Sequence, residues 1–124
     1  MAKKILIIED YPATSEMIAS ILEAEGFKPV VAVDGPSGLE QARSQKPDLI
    51  LLDIMMPEMS GFEVCEKLKA DKKTAKIPII IVSVRATEES IKKGKELGAD
   101  EYVLKPFDPF ELVTRVKVLL EKKG

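Results

Sequence analysis

The chain has no histidine, one cysteine and no apolar run long enough to cross a bilayer. Without histidine the usual general base and the commonest metal ligand are missing, so any metal must be held by oxygen. A lone Cys65 excludes an internal disulfide and fits a reducing compartment. Near the start, the apolar run Ile5-Leu6-Ile7-Ile8 is too short for a signal peptide or a membrane span. Excess charge is lacking as well: 19 Lys and Arg against 21 Asp and Glu leave a net charge of -2, giving no bulk attraction to nucleic acid or an anionic membrane. No low-complexity segment, linker or solenoid repeat interrupts the sequence. These absences lead us to expect one soluble, cytoplasmic domain over residues 1–124. No output domain, membrane insertion or direct nucleic-acid contact is expected.

What is present is a strand-then-helix pattern, five times over. Its centre is Asp48-Leu49-Ile50-Leu51-Leu52-Asp53. Continuous apolar residues followed by a loop with Pro57 and Gly61 predict a strand covered on both faces of a parallel sheet. A first strand is predicted over 4–9, a second over 29–33, a fourth over 77–82 and a fifth over 101–104. Helix 1 follows Pro12, carries Met17, Ile18, Ile21 and Leu22 at helical spacing, and stops at Gly26. Helix 2, with Leu39 and Ala42, runs to Lys46-Pro47 and is weakened by Gly38. Helix 3 carries Phe62, Val64, Cys65 and Leu68. Helix 4 has Thr87 as its N-cap, a thin apolar face at Ile91 and Leu97, and a stop at Gly98. Helix 5 is strongly amphipathic through Phe110, Leu112, Val113, Val116, Leu119 and Leu120. The expected fold is α/β, a doubly wound, flavodoxin-like five-stranded parallel sheet of order 2-1-3-4-5 with five helices.

In such sheets ligands bind outside the carboxyl ends of the strands. Glu9 and Asp10 follow strand 1, Asp53 follows strand 3, Ser83 follows strand 4 and Lys105 follows strand 5. Strands lie roughly 4.8 Å apart, so three carboxylates there repel unless a cation lies among them. A hard divalent ion, Mg²⁺ or Mn²⁺, answers that, with Asp10 and Asp53 as the best direct ligands. Ser83 as a hydroxyl donor and Lys105 as a cation complete a surround for a phosphoryl group, with Asp53 as its acceptor. Taken singly, each residue has a plain structural role: a loop-capping Asp, a satisfied hydroxyl, a solvated lysine. Their coincidence at one sheet edge favours a phosphoryl site.

Glu9-Asp10, Leu51-Leu52-Asp53-Ile54-Met55-Met56-Pro57, Ser83 and Leu104-Lys105-Pro106-Phe107 together resemble the receiver domain of bacterial response regulators, in a chemotaxis-regulator-like form covering nearly the whole chain. The resemblance implies that Asp53 takes a phosphoryl group from a histidine kinase or phosphotransfer protein in a two-component system. It further implies that Glu9 and Asp10 hold Mg²⁺ with Asp53 and the backbone carbonyl of Met55, that Lys105 contacts the phosphoryl oxygens, and that the bond before Pro106 is cis. Ser83 and Tyr102 are then the switch residues. On this reading the chain is no enzyme apart from Mg²⁺-dependent self-phosphorylation and autodephosphorylation at Asp53. Val84 is larger than is usual at its position, where a branched side chain narrows the mouth; Arg85 adds a charge beside it.

The alternative is a pseudo-receiver that binds partners without phosphoryl turnover, disfavoured because no acidic or cationic site position is missing. An aspartyl phosphatase or mutase wants a second Asp where Met55 stands. A flavodoxin-like cofactor binder wants a Gly- or Ser/Thr-rich loop where Glu9-Asp10-Tyr11-Pro12 stands. Cys65 reads as a half-buried helix residue, and Met55, Met56 and Met59 as loop packing. The signal is expected to leave through helix 4, strand 5 and helix 5. There Asp100, Glu111 and Arg115 resemble the charge pairs of receivers that dimerise, while Ile91 stands where such receivers carry a basic residue and Lys117 and Lys122 extend the polar side. A monomer that dimerises weakly when phosphorylated is the expectation.

Overall fold

In the computed structural model, which describes residues 2–123, the central apolar stretch forms β3 (Leu49–Leu52), with every residue at most 1% exposed. It is flanked by β1 (Lys4–Ile8) and β4 (Ile79–Ser83), with β2 (Lys28–Ala32) and β5 (Glu101–Leu104) at the edges. All neighbours are parallel and the order is β2-β1-β3-β4-β5, as predicted. Between the strands run α1 (Pro12–Ala24), α2 (Gly35–Gln45), α3 (Gly61–Ala70) and α4 (Glu88–Glu96), and α5 (Pro109–Lys123) follows β5.

The lack of alternation in the central strands has a direct cause. Successive strand residues point to opposite faces, and both faces are covered. Leu6, Ile8, Ile50, Leu52, Ile79 and Ile81 pack against Ala42 of α2 and Val64, Cys65 and Leu68 of α3. Ile5, Ile7, Leu49, Leu51, Ile80 and Val82 pack against Ile18 and Leu22 of α1 and Leu112, Val116 and Leu119 of α5. Each fully buried Leu or Ile contributes about 1.5–3 kcal/mol, which makes the three central strands the rigid floor of the domain. Among the described residues, no helix is long and apolar enough to cross a membrane.

Several expectations are corrected in detail. The first strand stops at Ile8, so Glu9 already lies in the loop; the second is shifted one residue earlier, and Val33 is exposed. Strand 4 starts at Ile79, after Pro78, and takes in Ser83. Met17 and Phe110 are 48% and 79% exposed. Ile18 and Leu22, four residues apart, carry the buried stripe of α1, and Met17 lies one residue off it. Phe110 sits in the first turn of α5, ahead of Leu112, where burial begins. Cys65 is fully buried, not half-buried, and its Sγ donates to the Leu97 carbonyl at 3.5 Å. Burial pushes the thiol up to about 11, which leaves it unreactive. The helix signals hold: Thr87 Oγ1 accepts from Ser90 N at 3.1 Å, and Gly26 and Gly98 follow α1 and α4 at φ +88 and +110.

Gly38, an odd choice for a helix interior, is explained by α2 lying against β1. A Cβ there would stand 2.6 Å from Ile8 Cδ1 and 2.9 Å from two further carbons of that side chain. In an exposed helix Gly→Ala stabilises by about 1 kcal/mol. Here Gly38→Ala should instead destabilise, by about 1–3 kcal/mol through overpacking, lowering the urea midpoint without changing the slope.

Candidate functional site

The parallel register brings the chemistry-bearing residues to one edge. Ile8 pairs with Leu52, so Glu9 and Asp53 leave the sheet side by side. Two further bonds extend the ladder past the strand ends: Glu9 N donates to Ala32 O and Asp53 N to Ile8 O, both at 3.0 Å. The carboxylates therefore stand on sheet-like backbone, with Glu9 3% and Asp53 6% exposed and Asp10 half-buried. One oxygen from each of the three lies within 4.8 Å of the others. From beyond β5 comes Lys105, whose backbone N donates to Ser83 O at 2.8 Å and whose peptide bond to Pro106 is cis. Its Nζ lies 2.5 Å from Glu9 Oε1 and 3.5 Å from Asp53 Oδ2.

Backbone donors hold the second oxygens of Glu9 and Asp53. Tyr11 N donates to Glu9 Oε2 and Met55 N to Asp53 Oδ1, each at 3.1 Å. The loop after Asp53 folds back so closely that a Cβ on Gly61 would lie 2.3 Å from the Asp53 carbonyl oxygen and 2.5 Å from Ile54 Cα. Only glycine fits there, and Gly61 is the positioning residue that the sequence reading missed. Its signal was available in Ser60-Gly61-Phe62-Glu63, where Ser60 caps α3 by accepting from Glu63 N at 3.4 Å. Met56 is buried and Met59 packs on the core beside Gly35, while the Met55 side chain is 48% exposed.

Three carboxylates face one ammonium, all the free donors are hard oxygens, and the cluster keeps an excess of negative charge. A Mg²⁺- or Mn²⁺-sized cation fits that donor set. Burial is the largest influence on Glu9 and raises its carboxyl above the ordinary 4.5; the Lys105 hydrogen bond opposes this and the Asp53 charge reinforces it. In the absence of a cation, Glu9 thus disfavours the fold once pH rises from 4.5 through its elevated folded value.

Ser83 and Tyr102 lie to one side. Ser83 is fully buried, and its Oγ accepts from Arg85 N at 3.2 Å. The Tyr102 hydroxyl donates to the Arg85 carbonyl. Burial raises the Tyr102 phenol above its usual value, against the Arg85 charge and the Ser83 hydroxyl. The structure therefore gathers Glu9, Asp10, Asp53 and Lys105 into one cluster and ties Ser83 and Tyr102 to the backbone of Arg85. Val84, between them, is 60% exposed.

A doubly wound parallel sheet with a largely buried acidic cluster and a facing lysine at its carboxyl edge defines a flavodoxin-like domain with an acidic pocket. The chain belongs to the response regulator receiver domain family, which matches residues 5–117. It is 43% identical over 122 residues to the phosphate regulon transcriptional regulatory protein PhoB of Escherichia coli, covering 98% of this chain and 53% of that protein. To the DNA-binding response regulator MtrA of Mycolicibacterium smegmatis it is 41% identical, covering 98% and 52%. The CheY-like receiver domain protein of Methanospirillum hungatei superposes with a TM-score of 0.93 at 31% identity, covering 99% of this chain and 97% of that one. The chain thus spans about half the length of the curated relatives it matches.

Because the Lys105 ammonium is the strongest influence holding Glu9 down, Lys105→Met should move the Glu9 titration to still higher pH in the metal-free protein. Carboxyl ¹³C chemical shifts followed from pH 3 to 9 check this; an unchanged Glu9 midpoint would contradict the pairing.

Proposed function

We propose that this receiver is a phosphorylation-controlled switch in which Asp53 accepts a phosphoryl group from a phosphohistidine on a partner kinase or phosphotransfer protein. The observation that carries the reading is the Asp53 carboxylate, 6% exposed, clustered with two acidic neighbours and 3.5 Å from Lys105 Nζ. A carboxylate oxygen of Asp53 attacks phosphorus, the P–N bond breaks as the P–O bond forms, and the donor imidazole leaves with a proton from solvent. In-line placement and charge neutralisation are the main tasks in such a transfer, and the chain's own residues perform them. The bond from Met55 N fixes the rotation of the Asp53 carboxylate. Lys105, held by Glu9 beforehand, turns its ammonium to the arriving oxygens. The Ser83 hydroxyl releases Arg85 N and donates to the same group, and Tyr102 follows with the Arg85 backbone.

Glu9, Asp10, Asp53 and the Met55 carbonyl would hold Mg²⁺ or Mn²⁺ here. The ion, when bound, supplies positive charge that offsets that of the phosphoryl oxygens and the carboxylates. Hydrolysis of the aspartyl phosphate by water resets the switch, so the only turnover is self-phosphorylation and autodephosphorylation at Asp53.

The output is assigned to the α4–β5–α5 face. The buried positions of α4 are Ser90 and Gly94, and a Cβ on Gly94 would lie 2.7 Å from Ile81 Cδ1, so small residues rather than a broad apolar stripe seat this helix. Beside it, Arg115 pairs with Glu101 at 2.6 Å and with Glu111 at 3.5 Å. Exposed pairs of this kind are worth about 0–1 kcal/mol each, cheap enough to exchange for pairs with a second copy or a partner. Such contacts are protein contacts, and the receiver itself does not touch nucleic acid.

Incubation with acetyl phosphate and Mg²⁺ should add one phosphoryl mass, and Asp53→Asn should abolish the gain. Asp10→Asn should weaken Mg²⁺ binding at least tenfold by calorimetry. Retention of the added mass in Asp53→Asn would overturn the acceptor assignment. Sedimentation and amide exchange with a beryllofluoride mimic should show weak, salt-sensitive dimerisation or altered protection within residues 84–122. An unchanged mass distribution together with unchanged protection would place the output elsewhere.

A further inference from the structure

At the end of the sheet opposite the carboxylates, two clefts meet over the buried Pro47 and the half-buried Ile77. One, of about 380 Å³, lies between the end of α2 and the loop before β4, with Lys46 and Lys73 on its rim. The other, of about 240 Å³, continues past Lys76 and Lys3 to Leu120 of α5. The result is a groove with an apolar floor and a cationic rim. Charge is concentrated here although the whole chain is slightly acidic: residues 67–76 hold five lysines and a single acid, Asp71. That acid is taken by Arg43 at 2.7 Å, whereas Lys46, Lys73 and Lys76 are in no salt bridge among the described residues. Asp48, the one acid among the residues lining the two clefts, accepts from Lys4 N at 2.8 Å.

The rim is also held in shape. Lys69 Nζ donates to the carbonyls of Ala75 and Ile77 at 3.1 and 2.9 Å, and the buried Thr74 donates to Leu68 O at 2.6 Å. These bonds clamp the loop that presents Lys72, Lys73 and Lys76. A loop ordered in advance loses little entropy when it engages a ligand.

We infer that this groove docks an acidic peptide segment of a partner protein, its carboxylates on the lysine rim and its interleaved apolar side chains on Pro47, Ile77 and Leu120. A nucleic-acid backbone would use the lysines but has no need of the apolar floor. A membrane surface would be met by a convex basic face rather than a concave one. Pro47 and Pro78 precede β3 and β4, whereas the carboxylates follow β1 and β3, so strands of 4 or 5 residues separate the two ends. At about 3.3 Å per residue that separation exceeds a Debye length of about 8 Å, so the groove is electrostatically blind to phosphorylation. A partner held here stays bound in both states of the switch, and the reading does not depend on the role given to Asp53.

The probe is a labelled synthetic dodecapeptide of glutamates with a leucine at every third position, titrated into the 124-residue protein and followed by anisotropy. The comparisons are a peptide with serine in place of leucine and a duplex DNA. Expected is saturable binding of the leucine peptide, weakened at least tenfold by Lys73→Glu with Lys76→Glu or by Ile77→Ser, and unchanged by beryllofluoride. Lys73→Gln with Lys76→Gln provides a milder variant, and circular dichroism verifies folding of each. Absence of binding, equal binding of the serine peptide, tighter binding of DNA, or indifference to the lysine changes would each overturn the proposal.

Discussion

Two carboxylates, Glu9 and Asp53, are removed almost wholly from water on adjacent strand ends, with a third beside them. Burial and mutual repulsion both oppose ionisation, as the upward shift of Glu9 records. The Lys105 ammonium, 2.5 Å from Glu9 and 3.5 Å from Asp53, is what makes the arrangement tolerable without a bound cation. Three carboxylates against one ammonium also leave the cluster two positive charges short of formal balance. That deficit is one that a hard divalent cation would offset, and the oxygen donor set fits such an ion.

Holding such a cluster together requires stiffness beneath it. The three central strands supply this: their side chains fill both faces, and the ladder bonds from Glu9 N and Asp53 N carry sheet geometry one residue past the strand ends. Gly61 completes the support by letting the following loop press on the Asp53 backbone. The opposite flank is built differently. Ser90 and Gly94 seat α4, and Ser83 and Tyr102 share the backbone of Arg85, so this flank is held by small residues and hydrogen bonds to backbone rather than by large apolar side chains. The basic groove lies beyond the far end of the same rigid strands.

The sequence by itself determined the fold class and the residues at the carboxyl edge, while the strand order rested in part on the resemblance to receiver domains. A short run such as Leu49 to Leu52, without alternation and followed by a Pro and Gly loop, fits a strand covered on both faces, and a parallel sheet sends the carboxyl ends of its strands to one side. Caps and stops with their own local chemistry, Thr87, Gly26 and Gly98, were legible for the same reason. What only the tertiary structure decided depends on packing between segments far apart in sequence. Met17 and Phe110 obey the helical period yet face outward, since the period cannot say where a helix leaves its sheet. Gly38 read as a weakness until Ile8 was placed against it, and Gly61 read as a turn until the Asp53 carbonyl was found 2.3 Å from its absent Cβ. The pairing of Lys105 with Glu9 joins residues 96 positions apart, and the groove joins Lys3, Lys46, Lys76 and Leu120. Local pattern fixes the elements because their periods are written along the chain; distances between elements are set by side-chain volume and charge, which no single stretch contains.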